Sequence, residues 1–284
     1  MRGVARPRRP SSLYGVIMLC MENVDVENAE KTEGLESKRI PRLSGTLRAH
    51  SIELPDVIWK AKGMVVLGRR IKSIIFSTDI AIIRNCNADA VLAVYPFTPQ
   101  QVISEAIIDS SSIPVFVGVG GGMTKGLRSV LIAQDAEAQG AFGVVVNAPM
   151  SNTNIRLIKS VIDIPIIATV VTDDEDITSR LDAGVSILNV AAGRKTPGVV
   201  AKIRSEFPDV PIIASGGRNQ ESILETIAAG ANTISFTPPS SGEIFSSMMG
   251  QYREAKTRNP DLTLNTLDTK RNEFRDFIEI FRNK

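Results

Sequence analysis

At 284 residues, with 43% apolar and 23% charged residues, the chain can bury one large core or two modest ones, and its composition is that of a soluble globular protein. The formal charge is +2, but Arg2, Arg6, Arg8 and Arg9 supply four positive charges before any acid, so the remainder carries −2 and offers no electrostatic footprint for nucleic acid. Two cysteines, Cys20 and Cys86, and one histidine, His50, exclude a disulfide framework, a His-rich metal site and any Ser-His or Cys-His device that does not use His50.

The arginine-rich start and the apolar residues 13–21 (LYGVIMLCM) imitate a signal peptide. The apolar run is short, no small-residue cleavage site follows, and Glu22, Asp25 and Glu27 arrive at once. Residues 1–45 are therefore expected to be an N-terminal tail without a fold of its own, with Met18 or Met21 as alternative starts and a targeting segment as the competing reading. No run of 18 apolar residues occurs, so no helical membrane span is expected and the cytoplasm is the expected compartment.

Residues 51–70 suggest a helix, with Pro55 in its first turn, Val57, Ile58 and Ala61 on one face, and Gly63 at its end. Such a helix would close the bottom of a barrel, with Trp59 packing there. The repeating pattern then begins. Ile113-Pro114-Val115, Ile164-Pro165-Ile166 and Val210-Pro211-Ile212 each open an apolar run, 51 and 46 residues apart, and proline is tolerated where a strand's ladder has not begun. Between them Gly140, Gly184 and Gly230, 44 and 46 residues apart, mark helix ends.

The spacing predicts eight strands at 73–78, 89–95, 113–119, 142–147, 164–170, 185–190, 210–215 and 232–237. Near-continuous apolar runs such as VPIIA and GVVV suit parallel strands covered on both faces. Strict βα alternation with an eightfold count predicts an α/β fold, a (β/α)8 TIM barrel over residues 46–256 with an N-terminal extension and an extra C-terminal helix in 257–284. In that extension Phe274, Phe277, Ile278 and Phe281 share a helical stripe, which either docks on the barrel or forms a contact in a homo-oligomer.

Chemistry in such a barrel belongs at the C-terminal ends of the strands. The candidates are Ser77, Thr78 and Asp79; Tyr95; Gly120, Gly121, Gly122, Thr124 and Lys125; Asn147; Thr169, Thr172 and Asp173; Asn189, Arg194 and Lys195; Ser215, Gly216, Gly217 and Arg218; Thr237, Ser240 and Ser241. Gly216-Gly217 after the seventh strand, paired with Ser240, Ser241 and Gly242 after the eighth, can present backbone N–H groups to an anion, with Ser215 and Thr237 beside them and Ser241 as the N-cap of the next helix. A tight βα turn explains the same two glycines.

IPIIATVV, VPIIASGG and ETIAAGAN resemble the aldolase-type, phosphate-binding TIM barrels over residues 71–249. That group includes sugar-phosphate epimerases, small aldolases, thiazole synthase and a glycerol-phosphate-responsive antiterminator regulator. The resemblance implies a phosphate held by a Gly-Gly after strand seven, matched by Gly216 and Gly217. Where the group commonly has Gly-Ser after the last strand, this chain has Thr237-Pro238-Pro239-Ser240. The group's Schiff-base aldolases carry a lysine on a strand, and none of the predicted strands holds one. Lys125 and Lys195 fall on loops, where a solvated or ligand-steering charge competes with any covalent role.

Asp79, directly after the first strand, is a candidate acid/base and equally a candidate N-cap. Asn147 and Asn189 suit hydrogen bonding to a carbonyl or hydroxyl, and Arg194 suits a bidentate contact to a carboxylate or phosphate. The acidic run 173–176 fits the start of a helix. The glycines of GVGGGMTKG, 118–126, lack a P-loop ending and serve either as hinges of a closing loop or as a long turn.

The expected function is a lyase or isomerase acting by enolisation on a small phosphorylated or otherwise anionic metabolite. Asp79 would be the base and Lys125, Arg194 or Lys195 the electrophilic charge, with neither nucleic acid nor membrane as partner. A non-catalytic metabolite sensor or regulatory barrel is the first alternative, and an FMN-dependent oxidoreductase the second. No cofactor is demanded by the pattern: FMN is compatible with the anion site and a divalent cation with Asp79 plus water or substrate oxygens, but no carboxylate pair at convincing spacing predicts a metal centre.

Overall fold

The computed structural model describes residues 52–258 apart from Arg218, with Ala255 described by its backbone alone, all within the unit Leu47–Lys284. The expectations for residues 1–45, Cys20, His50, Arg218 and the stripe of Phe274, Phe277, Ile278 and Phe281 lie outside the described residues.

A hairpin of β1 (Met64–Val66) and β2 (Arg69–Ile71) precedes eight βα units. They run β3 (Ser73–Phe76), α1 (Ile80–Arg84), β4 (Ala90–Ala93), α2 (Gln101–Ser110), β5 (Val115–Gly120), α3 (Leu127–Ala138), β6 (Gly143–Val146) and α4 (Asn152–Lys159). The second half is β7 (Ile166–Val170), α5 (Ile177–Asp182), β8 (Ile187–Val190), α6 (Thr196–Glu206), β9 (Ile212–Ser215), α7 (Gln220–Ala228), β10 (Thr233–Phe236) and α8 (Ser241–Arg258). All eight strands from β3 to β10 pair in parallel and in sequence, and β10 pairs back onto β3, closing the TIM barrel.

The repeat signals have physical counterparts. Pro114, Pro165 and Pro211 each sit just before a strand, where their carbonyls accept from the neighbouring strand's Val91, Val144 and Leu188 amides at 2.8, 2.9 and 3.0 Å. The missing proline N–H falls outside the ladder. Gly140, Gly184 and Gly230 lie just past the caps of α3, α5 and α7 with φ of 91°, 105° and 111°.

Two apolar layers result from period-two alternation. Outward residues such as Val91, Val117, Val144, Leu188 and Ile212 pack under the helices. Inward residues Ile74, Leu92, Phe116, Val145, Ile167, Ile187 and Ile213 fill the barrel.

In place of the helix expected to end at Gly63 stands a 3-10 turn, Asp56–Lys60, followed by the hairpin. One helical turn is all that the spacing of Val57, Ile58 and Ala61 specifies. Beyond it Met64 and Val66 are buried while Val65 is exposed, a period of two, and Met64, Val66 and Ile71 join the interior cluster. The barrel bottom is thus closed by a hairpin, whose turn residues Leu67 and Gly68 both have positive φ, at 44° and 80°. That turn favours asparagine over leucine at its first position. Leu67→Asn, at an exposed site, is expected to stabilise the protein by about 0.5–1 kcal/mol in urea unfolding.

Candidate functional site

Counting two residues up from the interior layer identifies the inward positions at the barrel mouth. They are Phe76, Val94, Gly118, Asn147, Thr169, Asn189 and Ser215, with Ser235 set beside Ile74 and Ser215 by register. This ring contains hydroxyls, amides, glycine and apolar groups and no ionisable side chain.

Three of its members form a hydrogen-bonded relay across adjacent strands. Asn189 Nδ2 donates to Thr169 Oγ1 at 3.2 Å, and the Thr169 hydroxyl donates to Asn147 Oδ1 at 3.0 Å. Asn189 is only 6% exposed, and its Oδ1 is buried without a hydrogen-bond partner. An unpaired buried acceptor costs about 1–3 kcal/mol; this one is closed to solvent, and of the three relay residues Asn147 is the one that lines a cavity.

Asn147 opens onto a cavity of about 900 Å3 shared with Val94, Tyr95, Phe97, Gly118, Gly120, Gly121 and Thr124. A second hollow, of about 710 Å3, is lined by Val102, Leu127 and Leu131 between α2 and α3.

The glycine loop after β5 is tied by hydrogen bonds to itself, to Pro149 and to Ser129. Gly121 donates to Thr124 at 2.9 Å and accepts from it at 3.1 Å, Gly122 donates to Pro149 at 3.1 Å, and buried Ser129 donates to the Thr124 carbonyl at 2.9 Å. Gly121, at φ 133°, lies so close to Asn147 that an added Cβ would stand 2.5 Å from the Asn147 carbonyl oxygen. The loop therefore sets the backbone of a relay residue.

Asp79 caps α1, accepting from Ala81 at 2.9 Å and Ile82 at 3.3 Å, and its other oxygen accepts from the Ser241 amide at 3.3 Å. Burial pushes its pKa up, but the hydrogen bonds from Ser241, Ile82 and Ala81 outweigh burial and leave it below the usual aspartate value. A carboxylate so engaged joins the first helix to the last.

The N-cap of α8 is Ser240, one residue before the expected Ser241. Its Oγ accepts from the Glu243 amide at 3.2 Å while Glu243 Oε2 accepts from the Ser240 amide and hydroxyl, both at 2.8 Å. This is a capping box, and the Ser-x-x-Glu spacing needed to find it stands in the sequence. Carboxylates from Asp79 and Glu243 thus already occupy two amides that a phosphate at Ser240, Ser241 and Gly242 would use.

The Ser240 backbone and hydroxyl donors also hold Glu243 below its usual pKa. A folded-state pKa below the unfolded one gives stability that is present above the unfolded value, here 3.8 for Asp79 and 4.5 for Glu243, and is lost as pH falls through the folded value. Helical far-UV signal and protease resistance at α8 are therefore expected to fall first below about pH 4, and to hold above pH 5.

Across the mouth, Gly216 is packed rather than open: an added Cβ would lie 2.6 Å from Ile234 and 2.9 Å from Ile223. At Gly217, φ 81°, a Cβ would lie 2.2 Å from Ser222 Oγ, which bonds to the Gly216 and Asn219 carbonyls in the Asn219–Ser222 capping box of α7. Close packing at Gly216, and close packing with a positive φ at Gly217, are each a structural reason for glycine, so a bulky residue at Gly217 would damage the fold before it reported on any ligand. Ser215 ends β9 facing inward, and Thr237 is exposed.

Lys125, Arg194 and Lys195 are exposed on loops after β5 and β8, the latter two in the 3-10 turn Gly193–Lys195. In the acidic run, Asp176 caps α5 and Glu175 pairs with Arg180 at 3.5 Å. Arg180 also donates to the Met150 carbonyl and to Asn152 Oδ1, tying the loops after β6 and β7 together beside the relay. Sequence reasoning missed Arg180, whose helix position carries no signal of a tertiary partner. It also missed Phe76 and Ser235, which the period of two could have found.

Among the described residues no group of three or more His, Cys, Asp or Glu side chains could hold a metal ion. Asp79, the carboxylate considered for one, has both oxygens on backbone amides. The described side chains do not fit a dedicated cation cage.

The closed parallel barrel and its alternating helices define a (β/α)8 TIM barrel. No protein-family model and no curated protein matches the chain. Among solved structures it is similar to 2,3-dimethylmalate lyase, a PEP mutase/isocitrate lyase superfamily member, with 12% identity over 79% of this chain and 95% of that one at a TM-score of 0.52. The phosphoenolpyruvate phosphomutase of Streptomyces platensis subsp. rosaceus matches with 12% identity over 83% and 98% at 0.51, and a phosphonopyruvate hydrolase with 14% over 75% and 85% at 0.50. At these identities the likeness is one of fold. No helix among the described residues is long and apolar enough to cross a membrane.

Proposed function

We propose that the chain binds a small phosphorylated or otherwise anionic metabolite at the barrel mouth and acts on it as a lyase or isomerase. The observation that carries this reading is the Asn147–Thr169–Asn189 relay, a buried polar feature with an unpaired acceptor beside a cavity. Asn147, which lines the cavity and is oriented by Thr169 and Asn189 behind it, would position the oxygenated part of the ligand. Lys125, Arg194 and Lys195, on loops above the ring, would meet the anionic group. With Asp79 drawn into capping, the base for an enolisation would come from a loop, and the relay would hydrogen-bond the developing enolate oxygen.

A second reading, a metabolite sensor without turnover, is favoured by the absence of any ionisable group from the ring. One experiment separates the two. The full chain is screened by thermal shift against phosphate, sugar phosphates, glycerol phosphate, FMN and their dephosphorylated counterparts, and hits are incubated in D2O. A ligand at a hundred times its Kd raises stability by about 2.7 kcal/mol. Binding with deuterium incorporation next to the carbonyl supports the enzyme, and binding without exchange or turnover supports the sensor. A yellow protein or an FMN hit would point to an oxidoreductase, and a blank panel would end the metabolite reading.

A further inference from the structure

The hairpin that closes the barrel bottom keeps one face for solvent. Met64, Val66 and Ile71 join the interior cluster, while Val65 and Leu67 stand 70% and 61% exposed. Exposed cations surround them, Lys60 and Lys62 on the approach and Arg69 and Arg70 on the returning strand. From residue 57 to residue 78 the chain holds these four and Lys72, whose ammonium is turned onto the Trp59 carbonyl, and not one acid.

Leu67 is held at a cost. Among the described residues it is the one non-glycine with positive φ, at a turn position that asparagine fills more easily. An exposed leucine recovers little of that cost by packing within the fold. Strain kept at an exposed apolar tip points to a contact made outside the chain.

The chemistry of the strip says what that contact is. It offers two exposed apolar side chains on two short strands, whereas a stable protein interface takes about 20–30 residues a side. A nucleic acid would use the cations and leave the apolar tip nothing to do. A bilayer surface uses both, the charges meeting anionic headgroups while leucine and valine enter the acyl boundary. The chain also enters the described structure at this end. Ile52 donates to the Asn85 carbonyl at 2.6 Å and accepts from the Asn87 amide at 3.3 Å, ahead of β4. The residues before it hold Arg2, Arg6, Arg8, Arg9 and the apolar run 13–21.

The acids at this end limit the contact. Asp89 and Glu137 are turned onto backbone amides. Asp56 stands exposed at the start of the 3-10 turn, and Asp163, Asp182, Glu206 and Asp209 stand exposed ahead of β7, β8 and β9. They keep that part of the rim off an anionic surface and confine the contact to the hairpin.

We infer that the hairpin 64–71, with Lys60 and Lys62, is a peripheral contact for an anionic lipid surface. Net charge and the lack of an apolar span gave no sign of it, because a surface contact depends on neither. It docks the end of the barrel opposite the mouth and leaves the mouth open to water. It does not rest on the metabolite reading.

The full chain is sedimented with vesicles of phosphatidylcholine alone or with about 30% phosphatidylglycerol. The anionic vesicles are expected to retain at least about tenfold more protein, and raising salt from about 0.1 to about 0.5 M should remove most of that gain. Leu67→Asn is the decisive variant. It should raise the urea midpoint and yet weaken retention about tenfold, the reverse of what damage to the fold would do. Lys60→Gln combined with Lys62→Gln should weaken retention about fivefold for each charge removed.

No preference for anionic vesicles overturns the inference, as does retention that both variants leave unchanged, which would assign it to the N-terminal residues. Retention lost with the lysines but not with Leu67→Asn, or duplex DNA bound as tightly as the vesicles, would leave only a phosphate-binding patch and overturn it too. A dimer in analytical sedimentation that Leu67→Asn dissolves would give the face to a second copy of the chain instead.

Discussion

Gly121→Ala is expected to destabilise the protein by about 3 kcal/mol and to abolish metabolite binding. Two costs add. A φ of 133° is one that L side chains rarely adopt, worth about 1–3 kcal/mol. The new Cβ would also meet Asn147 at 2.5 Å from its carbonyl oxygen and 2.8 Å from its own Cβ, and backbone on both sides leaves little room to yield. Gly122→Ala is the matched control: φ is 57° and nothing lies within 4 Å of the added carbon, so only the left-handed backbone cost of about 1–2 kcal/mol applies and Asn147 stays where it is. Urea unfolding of both variants, with ligand titration of each, reads the difference. Equal losses would mean that the loop does not set the relay.

Phe116→Ala should cost about 3–5 kcal/mol, the range for deleting a fully buried aromatic side chain. Phe116 fills the barrel one layer below Gly118, edge-on to Phe142 at 6.4 Å between ring centroids. Its environment is tight against β6 as well, because Gly143 approaches closely enough that a Cβ there would sit 3.0 Å from the Phe116 ring. The strand ends that carry the ring of the mouth rest on this layer, so ligand affinity should fall along with stability. A loss below about 1 kcal/mol in denaturant titration would show that the layer collapses freely and gives the mouth no rigid base.

Much of the fold was legible because its signals are local. The prolines before β5, β7 and β9 and the glycines after α3, α5 and α7 repeat, since each βα unit solves the same backbone problem. All eight barrel strands fall inside the ranges that the apolar runs predict or overlap them closely. The bottom hairpin was hidden because a helical turn, Asp56–Lys60, precedes it and its turn carries leucine where asparagine would have announced it.

The site was only partly legible. Asn147, Thr169 and Asn189 were named by position, yet that they bond to one another depends on register, Thr169 lying opposite Asn189 across β7 and β8. For Asp79, the cap bonds to Ala81 and Ile82 are local and legible, while the contact with Ser241, 162 residues away, is not. The Gly216-Gly217 pair carries the resemblance read from the sequence, while the structure gives both glycines packing neighbours and sets Glu243 and Asp79 on the amides at the start of α8.

The central claim, that ligand binds over the relay, is tested most directly by following the side-chain amide NMR signals of Asn147 and Asn189 in the full chain as dihydroxyacetone phosphate is added. The account predicts saturable shifts of both pairs of amide protons, Asn147 because it lines the cavity and Asn189 because Thr169 links it to Asn147. Shifts confined to residues around Val102, Leu127 and Leu131, with both asparagines unmoved, would put the ligand in the hollow between α2 and α3 and contradict it.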